Sequence, residues 1–270
     1  MERMKSITME LPAIPDFWQR VRNANNRFFG LDYDGTLAPF EIDPMQARPL
    51  PGIADLLRDL ATGGQTLIAV ISGRPLAKVM TLLKNPPVMV IGSHGYEFWP
   101  VDGSCVVRQP TPEQRQGLLQ VATTLQQRGY SHKMEVKVAS VALHARGLDL
   151  AVAAAMEEGV AAEWHGRAQR YGLECRRFNG GIEIRCSGWN KGMALNALLD
   201  VQAADVFAVY IGDDDIDEDA FAILRDRGVG IRVGDPSRPT AAQGFLPECG
   251  AVASFLRTWI ALTANERRDE

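Results

Sequence analysis

Three short runs of apolar residues end abruptly in small or acidic ones, and each lies beside a segment with helical spacing. They are RFFGLDYDG (27–35), QTLIAVISGR (65–74) and VFAVYIGDD (206–214). Near-continuous apolar runs of this length suit strands covered on both faces, as in a parallel sheet. VMVIGSHG (88–95) and VGIRVG (229–234) predict two further strands. Helical patterns fall between them. PGIADLLRDLATGG opens with Pro51 and closes with Gly63 and Gly64, the start and stop residues a helix favours. RPLAKVMTLLK follows the second strand, KGMALNALLD precedes the third, and DEDAFAILRDRG follows it and stops at Gly228. Alternation of this kind predicts an α/β fold: a doubly wound, mostly parallel, Rossmann-like sheet.

The middle of the chain has a different period. MEVKVASVALHAR (134–146) alternates apolar and polar residues, as in a strand pair with one solvated face. Gly103 in VDGS predicts a turn ahead of it. Helical patterns at 112–127 and 148–169 flank that region, and LECRRF and GIEIRC predict an antiparallel pair joined at Asn179, Gly180 and Gly181. Residues 104–187 therefore read as an inserted α+β module, with 1–103 and 188–270 forming the α/β core. VASFLRTWIALTANERRDE predicts a terminal helix with a charged tail.

Composition narrows the function. The hydrophobic fraction of 46% is that of a globular protein. The net charge is −4, and no basic stripe is present to follow a phosphate backbone, so nucleic acid is not the expected partner. The longest apolar runs are strand-sized, which argues against membrane insertion. The first residues, MERMKSITMELPAIPDFW, lack the apolar core of a signal peptide. A cytoplasmic protein, monomeric by default, is the expectation. Cys105, Cys175, Cys186 and Cys249 form no C-x-x-C pair and are expected to be buried or neutral thiols in a reducing compartment. One stretch is too acidic for ordinary surface: GDDDIDED at 212–219.

In an open α/β sheet, ligands bind beyond the carboxyl ends of the strands. The strand ends here carry Asp32 and Asp34, Ser72, and the group Asp213, Asp214 and Asp217, while Lys191 in WNKG begins the helix leading to the third strand. Carboxylates gathered at one edge repel one another unless a cation or a shared proton compensates. A hard cation with oxygen ligands meets that need, and Mg2+ is the usual one beside phosphate. Ser72, with Gly73 and Arg74 at a helix start, offers a hydroxyl and free amides to an anion. Taken alone, Ser72 would be a helix cap and Lys191 a solvated helix residue; the set in order is what carries information.

That ordered set, DYDGT, ISGR, NKG and GDDDIDED, resembles the four motifs of the haloacid dehalogenase superfamily of phosphatases. An insert between the second and third motifs resembles the superfamily's C2-capped branch. The resemblance implies that Asp32 attacks phosphorus and becomes an aspartyl-phosphate, and that Asp34 serves as general acid and then base. It implies a Mg2+ held by Asp32, the Asp34 carbonyl and Asp213, with Asp214 or Asp217 in support. Ser72 and Lys191 would hold phosphoryl oxygens, helped by Gly35 and the Thr36 amide.

Further segments resemble the trehalose-6-phosphate phosphatase family. GSHGYEFW matches its HG-x-E segment through His94, Gly95 and Glu97; MEVKVASVALHAR matches its E-x-K and H-x-R segments through Glu135, Lys137, His144 and Arg146; GIEIRCSGWNKG matches through Glu183 and Arg185. The resemblance implies a phosphorylated disaccharide as substrate. Gly73, Arg74, His94, Gly95, Glu97, Glu135, Lys137 and Glu183 become candidate substrate contacts; His144, Arg146 and Arg185 read rather as structural or rim residues. Two positions depart from the pattern: Phe178 and Asn179 stand where a Gly-Lys pair is usual, and Cys186 replaces a proline. Sucrose 6-phosphate or mannosyl-3-phosphoglycerate is the alternative substrate.

Overall fold

The computed structural model describes residues 14–63 and 66–264. The N-terminal stretch 1–13, the predicted helix stop at Gly64 and the charged tail 265–270 lie outside them. The chain order is α1 (Phe17–Asn23), β1 (Arg27–Leu31), α2 (Ile53–Gly63), β2 (Thr66–Ile71), α3 (Leu76–Leu83), β3 (Met89–Gly92), β4 (Glu97–Trp99) and β5 (Val106–Val107). A second group follows: α4 (Pro112–Gln127), β6 (Met134–Val136), β7 (Ser140–His144), α5 (Leu150–Tyr171), β8 (Leu173–Phe178) and β9 (Gly181–Cys186). The chain ends with α6 (Lys191–Asp200), β10 (Phe207–Gly212), α7 (Glu218–Leu224), β11 (Gly228–Val233), β12 (Gly244–Leu246) and α8 (Cys249–Thr263).

The larger sheet has the order β12-β11-β10-β1-β2-β3-β4-β5, parallel except at β4 and β5. Its strands are buried on both faces because alternate residues serve different helix layers. Phe29, Leu31, Val209 and Ile211 pack with α1, α2 and α8; Phe28, Ala69, Ala208 and Tyr210 pack with α6 and α7. Trp259 of α8 stacks on Phe29 at 4.8 Å and donates to Thr66 Oγ1 at 3.1 Å. Strand order reverses at β1: the chain winds one way through β2 and β3 and the other way through β10 to β12. Such a switch point leaves a crevice at the carboxyl ends of β1 and β10. The register pairs Leu31 with Ile211, and the Asp32 amide donates to the Ile211 carbonyl, so the two acidic strand ends are level.

The second sheet is antiparallel, ordered β6-β7-β9-β8, with α4 and α5 on one face. Local signals set those helices. Thr111 and Gln114 form a reciprocal capping box on α4, Asp149 caps α5, and Gly172 ends α5 at φ 61°. The period-two pattern of β7 and β9 sends Val141, Leu143, Ile182 and Ile184 to the helices. Glu135, Ala142 and Glu183 share one register row and face the other way. That polar face was expected in solvent; it is turned onto the core crevice, and Glu183 and Arg185 are buried.

Other differences from expectation have local causes. Val106–Val107 pairs with β4 in the larger sheet, so the first residues assigned to the inserted module lie on the core sheet; a two-residue strand carries no readable period. The stretch 88–95 is strand only to Gly92 and then makes a 3₁₀ turn at Ser93–Gly95. All four cysteines are free thiols, as expected, with Cys186 buried, Cys175 and Cys249 half-buried and Cys105 exposed. Among the described residues, no helix is long and apolar enough to cross a membrane.

Candidate active site

Asp32 sits one residue beyond β1, Asp213 one beyond β10, and Lys191 is the first residue of α6, whose cap Asn190 accepts from the Met193 amide at 2.8 Å. Topology thus brings three segments far apart in sequence to one point. Lys191 is fully buried, and its ammonium donates to Asp32 Oδ1 at 2.6 Å and Asp217 Oδ1 at 2.8 Å. Single carboxylate oxygens of Asp32, Asp213 and Asp217 all lie within 4.8 Å of one another.

Two of these carboxylates, Asp32 and Asp217, share the one ammonium, and Asp213 lies beside them without a contact to it. Burial, with repulsion from Asp217, pushes the Asp32 carboxyl well above the ordinary range. Burial and the charges of Asp32 and Asp217 do the same to Asp213. Burial works against charge on Lys191, but Asp217 and Asp32 outweigh it and hold the ammonium charged. Asp213 Oδ1 is buried and has no hydrogen-bond partner among the described residues. A buried carboxylate oxygen without a donor is costly unless a cation reaches it. The donor set, all carboxylate oxygens, fits a hard divalent ion.

The run at 212–219 is sorted by its partners. Asp217 accepts from Lys191 and Tyr210 on Oδ1 and from the Asp213 and Asp214 amides on Oδ2. It is saturated and holds the loop together. Asp214 accepts from the Asp215 amide and, across to the second sheet, from the Asn179 amide at 2.9 Å. Asp215 pairs with Arg232 and Arg238, Glu218 with Arg232, and Asp219 with Arg185. Of these acids, Asp213 alone has no cation or donor on its carboxylate among the described residues. Gly35 explains the tight fit: at φ 69°, a β-carbon there would lie 2.2 Å from the Asp213 carboxylate.

Asp34 faces the same cleft, and both its oxygens are held by Arg74, Nε to Oδ2 at 2.6 Å and a terminal nitrogen to Oδ1 at 2.5 Å. Arg74 also donates to the Pro44 carbonyl at 2.6 Å. Its guanidinium, expected to meet substrate, is in this state occupied by Asp34. Ser72 Oγ is buried and accepts from the Arg74 amide at 3.1 Å. Thr36 is fully buried, its hydroxyl without a partner among the described residues.

The second sheet closes over this crevice through polar contacts. Glu183 is held on both oxygens: Oε1 accepts from Lys137 and Ser140, each at 2.7 Å, and Oε2 meets His94 Nε2 at 2.7 Å. Lys137 also donates to the Gly73 carbonyl at 2.9 Å, and Lys78 of α3 pairs with Glu135. Burial opposes charge on Glu183, but Lys137 and His94 hold its carboxyl well below the usual range. Burial likewise opposes charge on Glu135, which a His144 hydrogen bond and the lysines bring down to about 2. His94 is aimed at Glu183 by a strained turn: Ser93 and His94 are both left-handed, at φ 49° and 56°. A β-carbon at Gly73 would meet the His94 ring at 2.5 Å.

The cleft wall thus joins Asp32, Asp34, Gly73, Arg74, His94, Glu135, Lys137, Glu183, Lys191, Asp213 and Asp214 from the expected set. Gly95 and Glu97 are not on it. Glu97 accepts from Ser93 Oγ and the Leu76 amide, and the Gly95 carbonyl accepts from Trp189, so both shape the turn carrying His94. Phe40, Pro44 and Ile216 line the cleft without having been singled out, and Phe178, His144 and Arg146 join them. Isolated apolar residues in loops carry no periodic signal. The cleft leaves about 70 Å³ of room between cap and core.

A doubly wound sheet with acidic strand ends, a buried lysine and an antiparallel cap over the crevice defines a haloacid dehalogenase-like hydrolase fold. A haloacid dehalogenase-like hydrolase from Bacteroides thetaiotaomicron superposes with a TM-score of 0.62 at 17% identity, covering 86% of this chain and 98% of that one. The C-terminal domain of Candida albicans trehalose-6-phosphate phosphatase superposes with a TM-score of 0.80 at 23% identity, covering 95% and 99%. The chain belongs to the trehalose-phosphatase family, whose model matches residues 30–248. Its relatives include a trehalose-phosphate phosphatase of Mycobacterium marinum, 35% identical over 83% of this chain, and a probable trehalose-phosphate phosphatase 3 of rice, 31% identical over 87%. The chain spans 59% of the mycobacterial relative and 69% of the rice one.

Proposed function

We propose that the chain hydrolyses trehalose 6-phosphate to trehalose and phosphate through a covalent aspartyl-phosphate on Asp32. The observation that carries this reading is the meeting of Asp32, Lys191 and Asp213 at the sheet's switch point, beneath a polar cap face, in a chain of this family. Asp32 would attack phosphorus, dividing one hard displacement into two easier ones. Lys191 would offset charge on the transferring oxygens, the larger part of what phosphoryl transfer asks of a protein. Asp34 would give a proton to the leaving sugar oxygen and then take one from water; to do so it must first leave the Arg74 fork. Mg2+ would be held by Asp32 and Asp213, with Asp217 and Asp214 fixing the loop, and when bound it supplies neutralising charge beside the phosphoryl group.

The cleft beneath the cap has only about 70 Å³ of room, less than a ligand pocket of ordinary size. The cap is therefore read as opening to admit substrate; the sequence places hinges near 99–104 and 187–190, the pairing of Val106–Val107 with β4 moves the first to 108–111, and Gly188 at φ 83° suits the second. On closure, sugar hydroxyls would replace some of the contacts that Glu135, Lys137 and Glu183 now make with the core.

Phosphate release from a panel of sugar phosphates tests the reading. Trehalose 6-phosphate is expected to be hydrolysed in preference to glucose 6-phosphate, sucrose 6-phosphate and mannosyl-3-phosphoglycerate, with activity lost on chelation and restored by Mg2+. Absence of that preference sinks the substrate assignment. Asn179, exposed at the β8–β9 turn where a lysine is usual, favours another glycosyl phosphate as the second reading, and the same panel decides between them.

A further inference from the structure

Arg232, on β11, is almost completely buried yet lies off the cleft wall. Its guanidinium reaches across to the acidic loop that follows β10. One nitrogen donates to Glu218 Oε1 at 2.7 Å; another donates to the Asp213 carbonyl at 3.1 Å and to Asp215 Oδ1 at 3.2 Å. The second Glu218 oxygen accepts from the Ala241 amide at 2.7 Å, so the loop is tied through one carboxylate to the chain beyond β11.

We propose that Arg232 is a positioning residue for the divalent-cation site: it fixes the Asp213 main chain so that the unpartnered Oδ1 is presented to the ion. This rests on reading Asp32 and Asp213 as that site. Two effects oppose each other here. A guanidinium near a bound cation repels it, so on Coulomb grounds alone its removal would tighten binding. A planar fork that holds three acceptors in place orients a ligand, and loss of such outer partners weakens metal binding by about 10–100-fold. The charge of Arg232 is already matched by Glu218 and Asp215, so repulsion is largely cancelled and positioning dominates. A lysine there keeps the charge and loses the fork.

The test titrates Mg2+ alone into the full chain by calorimetry, for the parent, Arg232→Gln and Arg232→Lys, with thermal denaturation in chelator reporting folding. Mg2+ affinity is expected to fall by about 10-fold or more in Arg232→Gln and by less in Arg232→Lys. KM for the sugar phosphate at saturating Mg2+ should stay unchanged. A lowered melting temperature with unchanged or tightened Mg2+ affinity would make Arg232 merely structural and overturn the proposal. Should Arg232→Gln not fold, Arg232→Lys carries the same comparison. A parent that takes up no Mg2+ overturns the cation site itself, and this proposal with it.

Discussion

Asp32→Asn is expected to reduce turnover by about three orders of magnitude or more while leaving the fold intact. The amide keeps the shape of the side chain and an oxygen for Lys191, but it cannot accept a phosphoryl group. It also removes one of three crowded carboxylates. Asp32 binds its proton more tightly in the folded state than in the unfolded chain, since burial and Asp217 raise its pKa. In metal-free protein, stability due to this group therefore falls as pH rises from the unfolded carboxylate range toward its folded value. The metal-free variant should accordingly melt no lower than the metal-free parent at neutral pH. Phosphate-release assays and thermal denaturation in chelator check both halves. Substantial residual turnover would defeat the nucleophile assignment.

Lys191→Met should damage both chemistry and fold. The side chain is fully buried and is the common partner of Asp32 and Asp217. Removing one member of a buried ion cluster leaves the rest uncompensated, at a cost of about 3–5 kcal/mol. For a chain of this size that is a fall of about 10 °C in melting temperature. Turnover should fall by about 10²–10³-fold, as when a preorganised donor to a developing charge is lost. Mg2+ should raise the melting temperature of the variant more than that of the parent, because the ion becomes the remaining cation among the carboxylates. Equal Mg2+ effects in both proteins would mean that Lys191 and the ion do not share a site.

The strand ends were readable because buried parallel strands leave long apolar runs that stop at Asp32, Ser72 and Gly212, and because topology rules say where such ends converge. Lys191 was readable through its company. What local patterns could not give was the pairing of acids with distant cations. Nothing near 212–219 announces that Asp217 is saturated by Lys191, Tyr210 and two amides, or that Asp215 and Glu218 meet Arg232. Those contacts depend on parallel neighbours brought together by the sheet. The same holds for Glu97, expected as a substrate contact: one of its oxygens takes the Ser93 hydroxyl and the Leu76 amide, contacts that no local pattern announces. The cap strands were visible from their alternation, but alternation does not say what a polar face looks onto; here it faces the core. The helix α1 and the short strands β5 and β12 are too brief to show a period.

The most direct test of an acidic cluster that accepts phosphate is to catch the acceptor in the act. Asp34→Asn should slow breakdown of the intermediate more than its formation, so acid quenching with trehalose 6-phosphate and Mg2+, followed by peptide mass analysis, should find one phosphoryl group on Asp32 and none without Mg2+. Phosphate on another residue, or continued turnover in which Asp32 is never modified, would contradict the account.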